Sequence, residues 1–94
     1  MKNKNNSNIG FVYFIEEIEK NFVKIGFSEK HPKQRLKDFQ TGNSSQLNLI
    51  GFIEGTYEDE SKLHKKFSKE RIRRTEWFES SSHLRESINN LLEE

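Results

Sequence analysis

Two aromatic-rich segments, Phe11-Val12-Tyr13-Phe14-Ile15 and Phe22-Val23-Lys24-Ile25-Gly26-Phe27, are separated only by a polar stretch from Glu16 to Asn21. Short runs of β-branched and aromatic residues bounded by polar ones read as strands, and so close a pair reads as a β-hairpin. A chain that opens this way must cover the apolar face of the hairpin with later elements, which points to a sheet layered against helices. If the hairpin is symmetric about the Ile18–Glu19 bond, Tyr13 sits directly opposite Lys24 on one sheet face. An ammonium beside a phenol favours the charged phenolate. Gly26, inside the second strand, suggests a bulge or a close approach to the backbone.

Helical signals follow. Pro32 suits a first helical position, Leu36 and Phe39 give one apolar face, and Gly42 is a left-handed residue at the end, so a helix is expected over Pro32 to Gln40. A third strand is expected from Leu47 to Glu54, broken by Gly55. Thr56-Tyr57-Glu58-Asp59 resembles a capping box with Asp in place of Glu, and it opens a second helix with Leu63 and Phe67 facing the core. Glu60 and His64 share an adjacent face. Glu76-Trp77-Phe78 is a short extended piece. Ser80 or Ser81 then caps a third helix with a stripe of Leu84, Ile88, Leu91 and Leu92. The fold class expected is α+β, a small three-stranded antiparallel sheet flanked by helices in the order β-β-α-β-α-α.

The 94 residues suffice for one small domain, expected over residues 10–94, with residues 1–9 as a flexible polar lead. Hydrophobic content is only 31%, but eight Phe raise the area each buried residue contributes. There is no Cys, hence no disulfide or thiolate metal site, and a cytoplasmic location is the default. No apolar run reaches membrane-spanning length, so no membrane partner is expected. Net charge is only +1, but cations cluster. Lys62, Lys65, Lys66, Lys69, Arg71, Arg73 and Arg74 share one stretch with a single acid, Glu70. Such a stretch fits phosphate contacts that are independent of sequence and sensitive to salt. No helix-turn-helix, zinc finger or aromatic platform for reading bases is visible.

Tyr13, Lys24, Arg35, His64 and Glu76 each read alone as an ordinary strand or surface residue. Together they offer a phenol, two fixed cations, an imidazole and a carboxylate anchored by the apolar Trp77-Phe78 pair. That set suits phosphodiester cleavage: Arg forks a phosphate better than Lys does, and one Glu can hold a hard cation.

The order Val12-Tyr13-Phe14, Lys24-Ile25-Gly26, Arg35 in a helix and a late Glu76 resembles the GIY-YIG nuclease superfamily. Pro32-x-x-Arg35-Leu36, Glu60-x-x-Leu63-His64-x-x-Phe67 and Glu76-Trp77-Phe78 resemble, more narrowly, its T5orf172 (Mug113-like) branch of phages, viruses and bacteria. The resemblance covers about residues 10–80. It implies a metal-dependent DNA endonuclease with one divalent cation, Mg²⁺ or Mn²⁺, bound by Glu76. It implies that Tyr13 deprotonates or orients the attacking water, that Arg35 binds phosphate, and that His64 shuttles a proton or orients Tyr13. Lys24 stands where many members carry a second tyrosine; it is expected to lower the Tyr13 pKa and to stabilise the phosphorane. DNA is the expected partner, with RNA open, and specificity would come from a partner domain or a homo-oligomer. The alternatives are a catalytically silent nucleic-acid-binding or adaptor module on the same fold, and a small protein-interaction domain using the acidic patches.

Overall fold

The computed structural model describes residues 8–93. Residues 1–7 of the expected lead lie outside the described residues, and Asn8 and Ile9 precede the first strand without regular structure. The elements are β1 (Gly10–Glu17), β2 (Phe22–Ser28), α1 (Pro32–Gln40), β3 (Leu47–Gly55), α2 (Tyr57–Lys66), β4 (Trp77–Glu79) and α3 (Ser82–Glu93).

The sheet has four antiparallel strands in the order β3-β1-β2-β4, not the three expected. The extended piece at Trp77 pairs with the outer edge of β2, matching Phe22 to Glu79, Val23 to Phe78 and Lys24 to Trp77. The short segment qualifies as a strand because Phe78 is fully buried and pins it to the core. Such anchoring by a distant cluster leaves little local trace in the sequence.

β1 is central, with helices on both of its faces, which explains its nearly continuous apolar run. Val12 and Phe14 join Val23, Ile25 and Phe78 in a core covered by Phe67 at the end of α2 and by Leu84 and Ile88 of α3. Tyr13 and Ile15 point the other way and pack with Leu47, Leu36 and Phe39, so α1 covers the second face. A bulge between Phe14 and Ile15 shifts the β1–β3 pairing and inserts Ile50, which packs on the larger core.

The helix ends follow their local chemistry. His31 Nδ1 accepts from the Lys33 amide at the start of α1, with Pro32 behind it. Gly42 adopts φ +80°, one residue after Thr41 closes the helix. Thr56 and Asp59 form the full reciprocal capping box of α2. Ser81, rather than Ser80, caps α3 by accepting from the Leu84 amide.

The hairpin register departs from the symmetric expectation. β1 runs on to Glu17, the turn occupies Ile18–Asn21, and Asn21 takes φ 59°, a left-handed conformation that Asn tolerates. Tyr13 therefore lies opposite Gly26, and Lys24 lies opposite Ile15. The slip is two residues, so Tyr13 and Lys24 keep a common face as diagonal neighbours. Gly26 is then required by packing: a Cβ there would lie 2.4 Å from the Tyr13 hydroxyl oxygen. The close approach suggested by this glycine is made by the tyrosine ring.

Because Phe78 ties β4 to the core, Phe78→Ala should cost about 3–5 kcal/mol in urea unfolding. A cost under about 1 kcal/mol, against that range, would mean that β4 is not anchored as described.

Candidate active site at the open edge of β2

β4 pairs with β2 from Phe22 only as far as Lys24. Beyond it, the Ile25 amide donates to the Glu76 carbonyl at 3.0 Å, and the Ile25 carbonyl accepts from His64 Nε2 at 2.9 Å. A carbonyl can only accept, so Nε2 carries the proton in this bond and Nδ1 is the ring nitrogen left outside it. His64 thus takes the place of a ladder partner where β4 ends. Its ring packs on Phe78 with centroids 5.0 Å apart.

Glu76 sits immediately before β4. Its Oε1 lies 3.1 Å from Lys24 Nζ, and its side chain is 45% exposed, so it is accessible to a ligand from solution. Lys24 is 14% exposed and lies over two rings, Phe39 at 4.8 Å and Trp77 at 5.5 Å. Arg35 stacks over the same Phe39 ring at 4.6 Å and pairs with Asp38 at 3.3 Å. Tyr13, 2% exposed, also packs against Phe39. One aromatic ring on α1 therefore organises the phenol and both cations. Sequence reasoning treated Phe39 only as a core residue.

Lys24 does not lower the Tyr13 pKa as the hairpin argument expected. Burial pushes the phenol above its ordinary value, the Glu76 and Glu60 carboxylates add to the rise, and the neighbouring Arg35 guanidinium opposes it without reversing it. The two-residue slip and the pairing of Lys24 with Glu76 account for the difference. The protein groups alone keep this tyrosine protonated at neutral pH.

Glu60 is the residue that sequence reasoning underused. It is 3% exposed, and its Oε2 lies 3.8 Å from His64 Nε2. Burial first, then the nearby Glu76 carboxylate, pushes it up to about 7, with Lys24 and Arg71 pulling the other way. The signal available in the sequence was its spacing: an acid four residues before a histidine, on the face beside the core stripe. A cavity of about 370 Å³ opens beside Glu60, His64 and Glu76.

The basic stretch divides. Lys65, Arg71 and Arg74 line that cavity. Lys62 instead borders a groove with Ile53, Leu63 and Leu91, and Lys66 lies over the Phe67 ring at 5.5 Å. Lys69 and Arg73 are exposed. The loop carrying Arg74 and Glu76 is folded tightly: Arg73 takes φ 54°, Arg71 Nε donates to the Thr75 carbonyl, and the Thr75 hydroxyl donates to the Ile72 carbonyl. Among the described residues, no three His, Asp or Glu side chains form a metal cage, and no helix is long and apolar enough to cross a membrane.

The arrangement is that of a small α+β domain whose charged groups converge on an open sheet edge. The family model of the T5orf172 domain matches residues 10–93, nearly the whole chain. The chain belongs to the T5orf172 domain family, which is GIY-YIG-like and nuclease-related. Neither the curated proteins nor the solved structures gave a match.

The raised Glu60 pKa makes a prediction about stability. A carboxyl whose folded pKa, about 7, exceeds its ordinary 4.5 binds its proton more tightly when folded. Its contribution is full below the ordinary value and is lost as pH rises through about 7. In EDTA, wild type should lose stability relative to Glu60→Gln between about pH 5 and about pH 8. Parallel urea-unfolding curves at both pH values would contradict this assignment.

Proposed function

We propose that this protein is a divalent-metal-dependent DNA endonuclease. The observation that carries the reading is the half-exposed Glu76 carboxylate at the open edge of β2, with Lys24 on one side and the Arg-lined cavity on the other.

Glu76 offers hard oxygen donors suited to Mg²⁺ or Mn²⁺. The fit has a second support in Glu60, a buried carboxyl whose ionisation Glu76 opposes, so positive charge between them would relieve a repulsion present in the protein. When bound, such a cation supplies electrophilic stabilisation of a phosphoryl or leaving oxygen. The remaining work falls to side chains. Arg35 forks a non-bridging phosphate oxygen, and Lys24 offers a second cation to the charge that develops on the phosphorane. Tyr13, held protonated by its surroundings, orients the attacking water rather than removing its proton. His64, with Nε2 committed to the Ile25 carbonyl, offers Nδ1 as the acceptor for that proton. Lys65, Arg71 and Arg74 contribute the salt-sensitive hold on the backbone.

One observation favours the second reading, a silent nucleic-acid-binding module. The phenol pKa is raised, so activity needs either an orienting Tyr13 or a change of environment on binding. Fold alone does not supply activity.

Nicking of supercoiled plasmid with Mg²⁺ or Mn²⁺, beside an EDTA control, separates the two. Glu76→Ala should abolish nicking while DNA binding persists. Cleavage at the wild-type rate in that variant would remove Glu76 from the mechanism. Tyr13→Phe should slow nicking on the order of 100-fold, the scale of misplacing a reacting group, and an unchanged rate would leave Tyr13 a packing residue. No nicking at all with salt-sensitive binding retained would select the silent module.

A further inference from the structure

Tyr57 is a large aromatic residue left at the surface beside the candidate site. The residue is 57% exposed, one of three large apolar residues left exposed among the described residues. The other two, Ile9 and Ile18, lie elsewhere, whereas Tyr57 lines the cavity that holds Glu76. It is the first residue of α2, directly after the capping Thr56, so its backbone is held firmly. Its ring meets Phe27 at 82° with centroids 6.3 Å apart, which anchors the side chain and leaves at least one face uncovered. Its hydroxyl has no hydrogen-bond partner among the described residues.

The neighbours supply the second half of the case. Lys65, Arg71 and Arg74 line the same cavity as Tyr57, beside the Glu60 and Glu76 carboxylates, so the ring shares it with three cations. An aromatic face beside phosphate-binding cations is the combination that holds unpaired nucleotides: the base stacks, and the backbone pairs with charge. An acidic peptide would satisfy the cations but leave the ring unused.

We propose that Tyr57 is a stacking platform for an unpaired base of a DNA strand, next to the phosphates held by Lys65, Arg71 and Arg74. The proposal rests on the nucleic-acid reading above and adds a preference to it. In a duplex the base faces are occupied by their neighbours, so the ring favours single-stranded or locally opened DNA. An unpaired base of this kind fits a cavity of about 370 Å³.

The test is binding of short labelled single-stranded and hairpin-duplex DNA to the full chain, followed by fluorescence anisotropy in EDTA at low salt. Tyr57→Ala should weaken single-strand binding on the order of 10-fold, while duplex binding moves by about twofold or less. Tyr57→Phe should retain the single-strand affinity, because the ring does the stacking. Thermal melts of both variants should match wild type, since the side chain is exposed. Wild-type affinity in Tyr57→Ala, equal losses on both DNAs, or failure of the Phe variant would each overturn the platform while leaving nucleic-acid binding intact. If the wild type binds neither DNA, the nucleic-acid reading falls and this proposal falls with it.

Discussion

β4 covers only the first part of the outer edge of β2, Phe22 to Lys24, and the positions of Glu76 and His64 follow from where that pairing stops. A longer β4 would close the edge and bury Glu76 within a ladder. A missing β4 would leave Glu76 on a loop with no fixed position. As built, the last backbone bond holds the Glu76 carbonyl on Ile25, and the next acceptor on that edge is taken by His64. The sheet edge is satisfied by a side chain instead of a strand, so it is neither an aggregation-prone template nor a closed surface.

Charge is arranged around this edge in two halves that meet at Glu76. On the α1 side, the Phe39 ring supports Lys24 and Arg35, cations whose charge is tolerated near the core because rings and carboxylates face them. On the α2 side lie Glu60, His64 and the cavity-lining Arg71 and Arg74. Burial raises both the Tyr13 and the Glu60 pKa, and Glu76 adds to each rise, which makes it an electrostatic link between the halves. Two acids crowded at one edge favour any ligand that brings positive charge, and the flanking Arg and Lys side chains favour one that brings phosphate. A metal-assisted phosphodiester site needs both preferences side by side.

Much of the fold was legible locally. The span of α1, the capping box of α2, the stripe of α3 and the first three strands depend on spacing and caps, which act over a few residues. β4 was half legible: its aromatic pair was visible, but its pairing depends on Phe78 reaching a core assembled from β1, β2, α2 and α3. The hairpin register was missed because turn length decides it: with Asn21 in a left-handed conformation, β1 runs on to Glu17 and a four-residue turn moves the hairpin centre from the Ile18–Glu19 bond to the Glu19–Lys20 bond. The site residues could be named from their order along the chain, while Glu60, Phe39 and Tyr57 acquire their significance only from what surrounds them.

By itself the sequence determined which residues alternate between the two faces of β1 and β2, where the helices begin, and which side chains with useful chemistry occur in a family-like order. Tertiary structure decided which of them meet. It set Tyr13 opposite Gly26 rather than opposite Lys24, gave Lys24 to Glu76, and buried the phenol enough to raise its pKa. The physical reason is that face alternation is a property of two neighbouring residues, whereas burial and charge pairing are properties of everything that packs around a group, and those surroundings come from distant parts of the chain.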